Sequence, residues 1–192
     1  MQPHWSALSI AMLDEHGHMA TIQKSILRGV GARKVSVAES AAALHEDLHF
    51  KRDIVMLNWY TRDDGFAPII AGLRDRATSP DPFVGIILVA PVTGRRRIER
   101  AIEAGANFFL RFPFSPADAI RHVAALAEGP GAFIDAPAYF GPDRRRRASA
   151  PPGRDRRLTP PSVLAGPALA AARQSLLDAR RAALALAADP AA

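Results

Sequence analysis

The chain contains no cysteine, which excludes disulfide bonds and thiolate metal sites. No apolar run approaches the roughly 18 residues that a bilayer-spanning helix needs, so no membrane span is expected. The first residues lack the basic-then-apolar order of a secretory signal. We therefore expect a cytoplasmic protein in a reducing compartment.

Positive charge is placed unevenly along the 192 residues, which carry a net charge of +6. Residues 1–130 hold 15 basic residues against 14 acidic ones, whereas residues 131–192 hold 10 against 5. Lysine is absent from the second part, where every basic residue is arginine. An anionic partner is therefore expected at the tail.

Short apolar runs alternate with amphipathic stretches through residues 1–130, which is typical of βα units around a parallel sheet. Gly105 is a predicted helix C-cap, and Ser115 with Pro116 is a predicted helix start. The pattern predicts a doubly wound α/β fold with a five-stranded parallel sheet. The predicted strands are 8–13, 34–38, 54–58, 84–89 and 107–110, and the predicted helices are 18–29, 40–49, 66–76, 95–104 and 116–128.

The composition changes after residue 130. Residues 131–167 are rich in proline, glycine and arginine and poor in large apolar residues, which predicts a linker without regular structure. Residues 168–192 predict a C-terminal helix. Arg173 and Arg180 fall within its apolar arc, so the sequence leaves its docking open. The leucines of that arc are Leu169, Leu176, Leu177 and Leu184.

Asn58 ends the third predicted strand, at the sheet edge where α/β proteins gather their chemistry. An aspartate at that position could attack a phosphoryl donor through its carboxylate. An asparagine amide is a poor nucleophile at neutral pH, so the acyl-phosphate route is closed.

Residues 7–128 resemble the CheY-like receiver domain of bacterial response regulators, in its flavodoxin-like fold. The resemblance depends on the order and spacing of several short motifs rather than on any one of them. The motifs are Asp14-Glu15, Asn58-Trp59 followed by Asp64-Gly65, residues 104–110, and the stretch from Pro113 to Pro116.

The chain departs from the receiver pattern at the positions that carry out phosphotransfer. Asn58 stands at the acceptor position, Ala90 at the position of the phosphoryl-binding hydroxyl, and Phe112 at that of the lysine. The resemblance therefore implies a pseudo-receiver that is neither phosphorylated nor an enzyme. An alternative is phosphotransfer through Asp53, Asp63 or Asp64, but Asp53 begins its strand and the others lie in a loop.

Asp14 and Glu15 match the acidic pair that helps receivers hold Mg²⁺. The alternative is an acidic cluster stabilised by nearby helix N-termini, which the neutral Asn58 favours because it lowers the charge of the ligand set. In receivers the fourth helix and fifth strand dock partners. The resemblance therefore implies a signalling or motility partner at Arg96, Arg100 and Phe109.

The tail carries the strongest functional signal. Arginine binds phosphate or a guanine edge through two N–H donors at once, and an aromatic side chain supplies a stacking surface. The chain is similar to CheY-like effectors that bind cyclic di-GMP through an arginine-rich segment after the receiver fold, which implies that ligand here. Non-specific nucleic-acid binding and a merely soluble linker remain alternatives. The expected ligand-binding residues are Tyr139, Arg144, Arg145, Arg146, Arg147, Arg154, Arg156 and Arg157.

Overall fold

A five-stranded parallel sheet forms the centre of the protein in the computed structural model, which describes residues 3–61, 63–91, 94–137, 139–144 and 162–188. The strands are β1 (Ser9–Leu13), β2 (Lys34–Ala38), β3 (Ile54–Asn58), β4 (Gly85–Pro91) and β5 (Phe108–Phe112). Their order is β2-β1-β3-β4-β5, with every neighbouring pair parallel. The predicted doubly wound fold is confirmed.

Helices cover both faces of this sheet. They are α1 (His18–Gly29), α2 (Ala41–Asp47), α3 (Phe66–Arg74), α4 (Arg95–Ala104) and α5 (Pro116–Glu128), with a 3₁₀ turn at Leu48–Phe50. One core lies between the sheet and α1 and α5, and the other lies between the sheet and α2, α3 and α4. Because the central strands are covered on both faces, β1 and β3 are apolar almost throughout.

Two helix ends form as their residues predict. Ser115 and Asp118 make a reciprocal capping box at the start of α5, with Pro116 in the first turn. Gly105 ends α4 in the left-handed conformation, with φ of 113°. A Cβ at Gly105 would lie 2.8 Å from Cγ of Arg74, so both the backbone angle and the packing require glycine there.

The expected linker contains regular structure, so that prediction is wrong for part of residues 131–167. Strands β6 (Phe133–Ala136), β7 (Tyr139–Pro142) and β8 (Ser162–Leu164) form an antiparallel sheet in the order β7-β6-β8. The segment has too few apolar residues to pack alone, but it shares a third core with the receiver-like body and the C-terminal helix. That core contains Phe83, Phe133, Phe140, Leu164 and Leu169.

The C-terminal helix α6 (Gly166–Ala188) docks on the body, and its arginines make the docking contacts. Leu169 and Leu177 are buried. Nε of Arg173 donates to Oδ2 of Asp81 at 2.8 Å, and the Asp81 carboxylate is fully buried. Arg180 donates to the backbone oxygens of Ser79 and Arg76. Within the described residues, no helix has both the length and the apolarity to cross a membrane.

Replacing Arg173 by methionine should lower the free energy of unfolding by about 2–4 kcal/mol, because the Asp81 carboxylate would stay buried without its cation. The loss should be smaller than for a fully buried pair, since the Arg173 side chain is 20% exposed. Urea denaturation measures the change, and hydrogen exchange of the α6 amides should rise with it.

Arg181→Met, which breaks a surface pair with Asp178, is the control and should change stability by less than about 0.5 kcal/mol. Equal losses in both variants would contradict this account of docking.

Candidate functional site

The carboxyl edge of the sheet brings together the three positions at which the chain departs from the receiver pattern. Asn58 ends β3, Ala90 lies near the end of β4, and Phe112 ends β5. Asn58 is paired in register with Val89, and Phe112 with Pro91, so the three positions lie on adjacent strands. The three positions therefore share one edge of the sheet.

Asn58 is held by a residue that the sequence did not single out. Nε2 of Gln23 donates to Oδ1 of Asn58 at 2.7 Å, and Nδ2 of Asn58 donates to Oε1 of Gln23 at 3.0 Å. Gln23 is fully buried on α1 and Asn58 is 5% exposed. A carboxylate at position 58 could accept from Gln23 but could not donate to it. Both hydrogen bonds therefore form only when position 58 carries an amide.

Aromatic side chains cover the part of this edge where a phosphoryl group would need donors. The rings of Phe112 and Tyr60 lie 5.7 Å apart between centroids, and those of Phe112 and Phe114 lie 6.3 Å apart. Burial, with the charge of Asp14 as the second cause, raises the pKa of Tyr60 well above its ordinary value. The Tyr60 hydroxyl is buried and has no hydrogen-bond partner among the described residues. At Ala90 and Phe112 the edge therefore offers apolar side chains in place of hydrogen-bond donors.

The space left at this edge is small. A cavity of about 50 Å³ is bordered by Asp14, Glu15, Asn58 and Tyr60, among others. That volume is on the order of one or two water molecules. Ligand sites in proteins are typically about 300–1,000 Å³, so this space is much smaller than an ordinary small-molecule site.

Asp14 is committed to the protein backbone. Its carboxylate is buried and accepts from the amide of Ala20 in the first turn of α1, at 2.7 Å, and from that of His16 at 3.2 Å. These bonds satisfy donors at a helix N-terminus and favour a negative charge there. Glu15 is exposed. In the part of the chain that the structure describes, no group of three or more potential metal ligands comes together.

The arginines at the start of α4 differ from one another in their surroundings. Arg97 is buried, and its Nη2 donates to the backbone oxygen of Thr61 at 2.7 Å, with its guanidinium 5.4 Å from the Phe66 ring centroid. Arg100 forms an ion pair with Asp64. Both contacts attach α4 to the loop between β3 and α3, so Arg97 is not available at the surface.

The loop between β3 and α3 is tightly packed because Gly65 has no side chain. A Cβ at Gly65 would lie 2.6 Å from Cζ2 of Trp59, a distance that requires the ring to move. Asp63 accepts from the Trp59 indole at 3.2 Å and from the Gly65 amide at 2.9 Å. Of the predicted docking residues, Arg96 is exposed and Phe109 is half-buried against the core.

Arg74 is a buried cation that the sequence did not single out. Its guanidinium donates to the backbone oxygens of Gly105, Pro82 and Val84 and to Oδ1 of Asn107, at 2.6–2.9 Å. Its guanidinium also lies 5.2 Å from the Phe133 ring centroid. Burial lowers the pKa of Arg74 to about 9, so it is still protonated at neutral pH.

The described start of the arginine segment forms a stacked pair. Cζ of Arg144 lies 3.5 Å from the Tyr139 ring centroid, and Nη2 of Arg144 donates to the backbone oxygen of Glu103 at 2.7 Å. Tyr139 lies on β7, and its hydroxyl donates to the backbone oxygen of Pro142. The other predicted ligand-binding residues lie outside the described residues: Arg145, Arg146, Arg147, Arg154, Arg156 and Arg157.

Comparison with solved structures gives the fold of the first two-thirds of the chain. The chemotaxis protein CheY4 of Vibrio cholerae is 13% identical, with a TM-score of 0.54, over 62% of this chain and 98% of that one. A CheY-like receiver domain from Methanospirillum hungatei is 16% identical, with a TM-score of 0.51, over 63% and 94%. The signal receiver domain of NarL from Mycobacterium tuberculosis is 19% identical, with a TM-score of 0.55, over 64% and 97%.

These similarities show that the chain has the fold of response regulator receiver domains. No protein-family model matches the chain, and no curated protein matches it significantly.

The amide pair at the edge predicts a non-additive response to mutation. Gln23→Met and Asn58→Leu should each lower the free energy of unfolding by about 1–3 kcal/mol, because each leaves a buried amide without its partner. The double variant should lose clearly less than the sum, since it removes both polar groups together. Urea denaturation of the four proteins completes the cycle. Strictly additive losses would show that the two amides do not stabilise one another.

Proposed function

We propose that this protein is a non-catalytic signal-transduction adaptor that uses the receiver fold without phosphorylation. Its signal would be an anionic ligand bound by the arginine segment, and its output would be the docking of a partner protein. The observation that carries the proposal is the reciprocal hydrogen bonding of Asn58 with Gln23, which occupies the acceptor position with a buried amide.

The electrostatics of the edge support the absence of phosphotransfer. A phosphoryl group there would face Ala90 and Phe112 in place of a hydroxyl and an ammonium group. Each missing charge-assisted hydrogen bond is worth about 1.5–3 kcal/mol. Asp14 and Glu15, which border the same edge, carry the wrong sign. A phosphoryl group would therefore be repelled rather than stabilised.

The chemistry of the arginine segment supports a nucleotide as the ligand, and cyclic di-GMP is the nucleotide that we propose. Its two phosphates suit clustered guanidinium groups, and its two guanines suit both arginine and aromatic stacking. The stacked pair of Arg144 and Tyr139 supports this proposal because it places a cation and an aromatic ring at the start of the segment. The expected set continues through Arg145, Arg146, Arg147, Arg154, Arg156 and Arg157.

The exposed side of α4 is the docking surface that we propose for a partner protein. Arg96 is exposed there, and Arg100 is held by Asp64. The backbone of Glu103, at the other end of the same helix, accepts from Arg144. A ligand that moves Arg144 would therefore act on the helix that carries Arg96 and Arg100, with Phe109 on the neighbouring strand.

Incubation with acetyl phosphate and Mg²⁺ should leave the wild-type mass unchanged, because the acceptor position holds an amide. Asn58→Asp should also remain without a stable adduct, because the hydroxyl and ammonium groups would still be missing. Intact-mass spectrometry measures both, with an active receiver domain as the positive control. A phosphoryl adduct on the wild-type chain would contradict the proposal and would point to Asp53, Asp63 or Asp64.

Titration of the full chain with cyclic di-GMP by calorimetry should show saturable binding. Arg144→Gln should weaken it by about tenfold or more, since it removes a charge-assisted contact. Arg121→Gln is the matched control, because Arg121 is an exposed arginine on α5 that pairs only with Asp118, and it should leave the affinity unchanged.

The alternative of a non-specific nucleic-acid-binding tail makes a different prediction in the same protein. It requires equal binding to unrelated DNA duplexes, with an affinity that falls steeply as salt rises. Fluorescence anisotropy with two labelled duplexes measures both properties. No heat with cyclic di-GMP together with salt-sensitive duplex binding would replace the proposed ligand by nucleic acid.

A further inference from the structure

A cleft of about 750 Å³ opens beside Tyr139, between the C-terminal ends of α3 and α4 and the small antiparallel sheet. Its volume lies within the range of small-molecule sites. It lies at the opposite end of α4 from Arg97, which is attached to the β3–α3 loop. The side chains that matter for recognition are Arg76, Glu103, Asp135, Tyr139 and Phe140.

Aromatic rings and guanidinium groups border the cleft in pairs. Arg144 lies over the Tyr139 ring, and Cζ of Arg76 lies 5.3 Å from the Phe140 ring centroid. A planar guanidinium on an aromatic ring occupies the kind of position in which a nucleobase stacks. A base would therefore stack on the Tyr139 ring, either in the place of the Arg144 guanidinium or between that guanidinium and the ring.

The polar groups of the cleft divide into those already used and those that are free. Asp135 accepts twice from Nη1 of Arg76, at 2.9 and 2.7 Å. Nη2 and Nε of Arg76 make no hydrogen bond with any residue that the structure describes. Glu103 is exposed, and its carboxylate likewise has no hydrogen bond or ion pair within the described ranges. One carboxylate and one side of a guanidinium are thus available to a ligand.

This pair of free groups suits guanine. The Watson–Crick edge of guanine presents N–H donors at N1 and N2, which a carboxylate accepts as charge-assisted hydrogen bonds. Its other edge presents O6 and N7, the acceptors that arginine binds. Adenine places a bare acceptor at N1, which would face the Glu103 carboxylate without a proton between them. The cleft therefore favours guanine over adenine.

We propose that this cleft is a guanine-base pocket, in which Tyr139 stacks on the base, Glu103 accepts from its N1 and N2 groups, and Arg76 donates to its acceptor edge. This deepens the proposed function and rests on it, because the base would belong to the nucleotide whose phosphates meet the arginine segment. It adds residues of the folded body, just after α3 and on α4, to a ligand site otherwise confined to the tail.

The test is calorimetric titration of the full chain with cyclic di-GMP, cyclic di-AMP and GMP. The wild-type protein should bind cyclic di-AMP at least about tenfold more weakly than cyclic di-GMP, and it should bind GMP. Glu103→Gln should weaken cyclic di-GMP and GMP by about tenfold and should reduce the discrimination against cyclic di-AMP. Arg76→Gln should weaken both guanine ligands and retain the discrimination against adenine at N1.

Glu99→Gln is the matched control, because Glu99 lies one turn earlier on α4, outside the cleft, and loses the same charge. It should leave all three affinities within about twofold of wild type. Glu103 and Arg76 are exposed, so both variants should fold, and circular dichroism checks this.

The outcomes separate the pocket from the proposed function. Tight cyclic di-GMP binding that Glu103→Gln leaves unchanged, or equal binding of cyclic di-AMP, overturns the guanine pocket while the proposed ligand stands. Binding of GMP without cyclic di-GMP supports the pocket and overturns the proposed ligand. Failure of both guanine ligands to bind the wild-type chain overturns both.

Discussion

The connection between the receiver fold and the segment added to it depends on one buried guanidinium group. Arg74 ends α3 and donates to the backbone oxygens of Pro82 and Val84 in the loop before β4. It also donates to two neutral oxygens in the turn between α4 and β5, and its guanidinium lies against Phe133 of the added sheet. These hydrogen bonds matter because a buried polar group without a partner costs free energy. One side chain therefore links the end of α3, the loop before β4 and the turn before β5, next to the cleft beside Tyr139.

The carboxyl edge of the sheet is packed much like the core. Asn58 is paired with Gln23, and Ala90 and Phe112 bring apolar side chains to the neighbouring strand ends. The amide pair satisfies the buried polar atoms, which would cost free energy without partners. Both proposals place recognition elsewhere, at the exposed residues of α4 and the cleft beside the small antiparallel sheet.

The five-stranded parallel sheet and the first five helices were predictable because the spacing of apolar residues and the helix caps agree locally. Residues 18–29, 95–104 and 116–128 gave helix bounds that the structure reproduces. Gln23 was not predictable, since its partner lies 35 residues away, although an amide on the buried face with Ala20 and Leu27 was a signal. Arg74 and Arg97 were missed because helical arginines are usually exposed. The added sheet was missed because its apolar residues are scattered in sequence and pack against distant partners, among them Phe83 and α6.

Helix α6 is supported along only part of its length. Arg180 contacts the body, whereas residues 181–185 are all exposed. Those five residues have no tertiary packing, so intrinsic helix propensity alone must sustain this stretch. Short unsupported helix ends fray, and fraying grows with temperature. The helix after Arg180 should therefore unwind at a lower temperature than the rest of the domain.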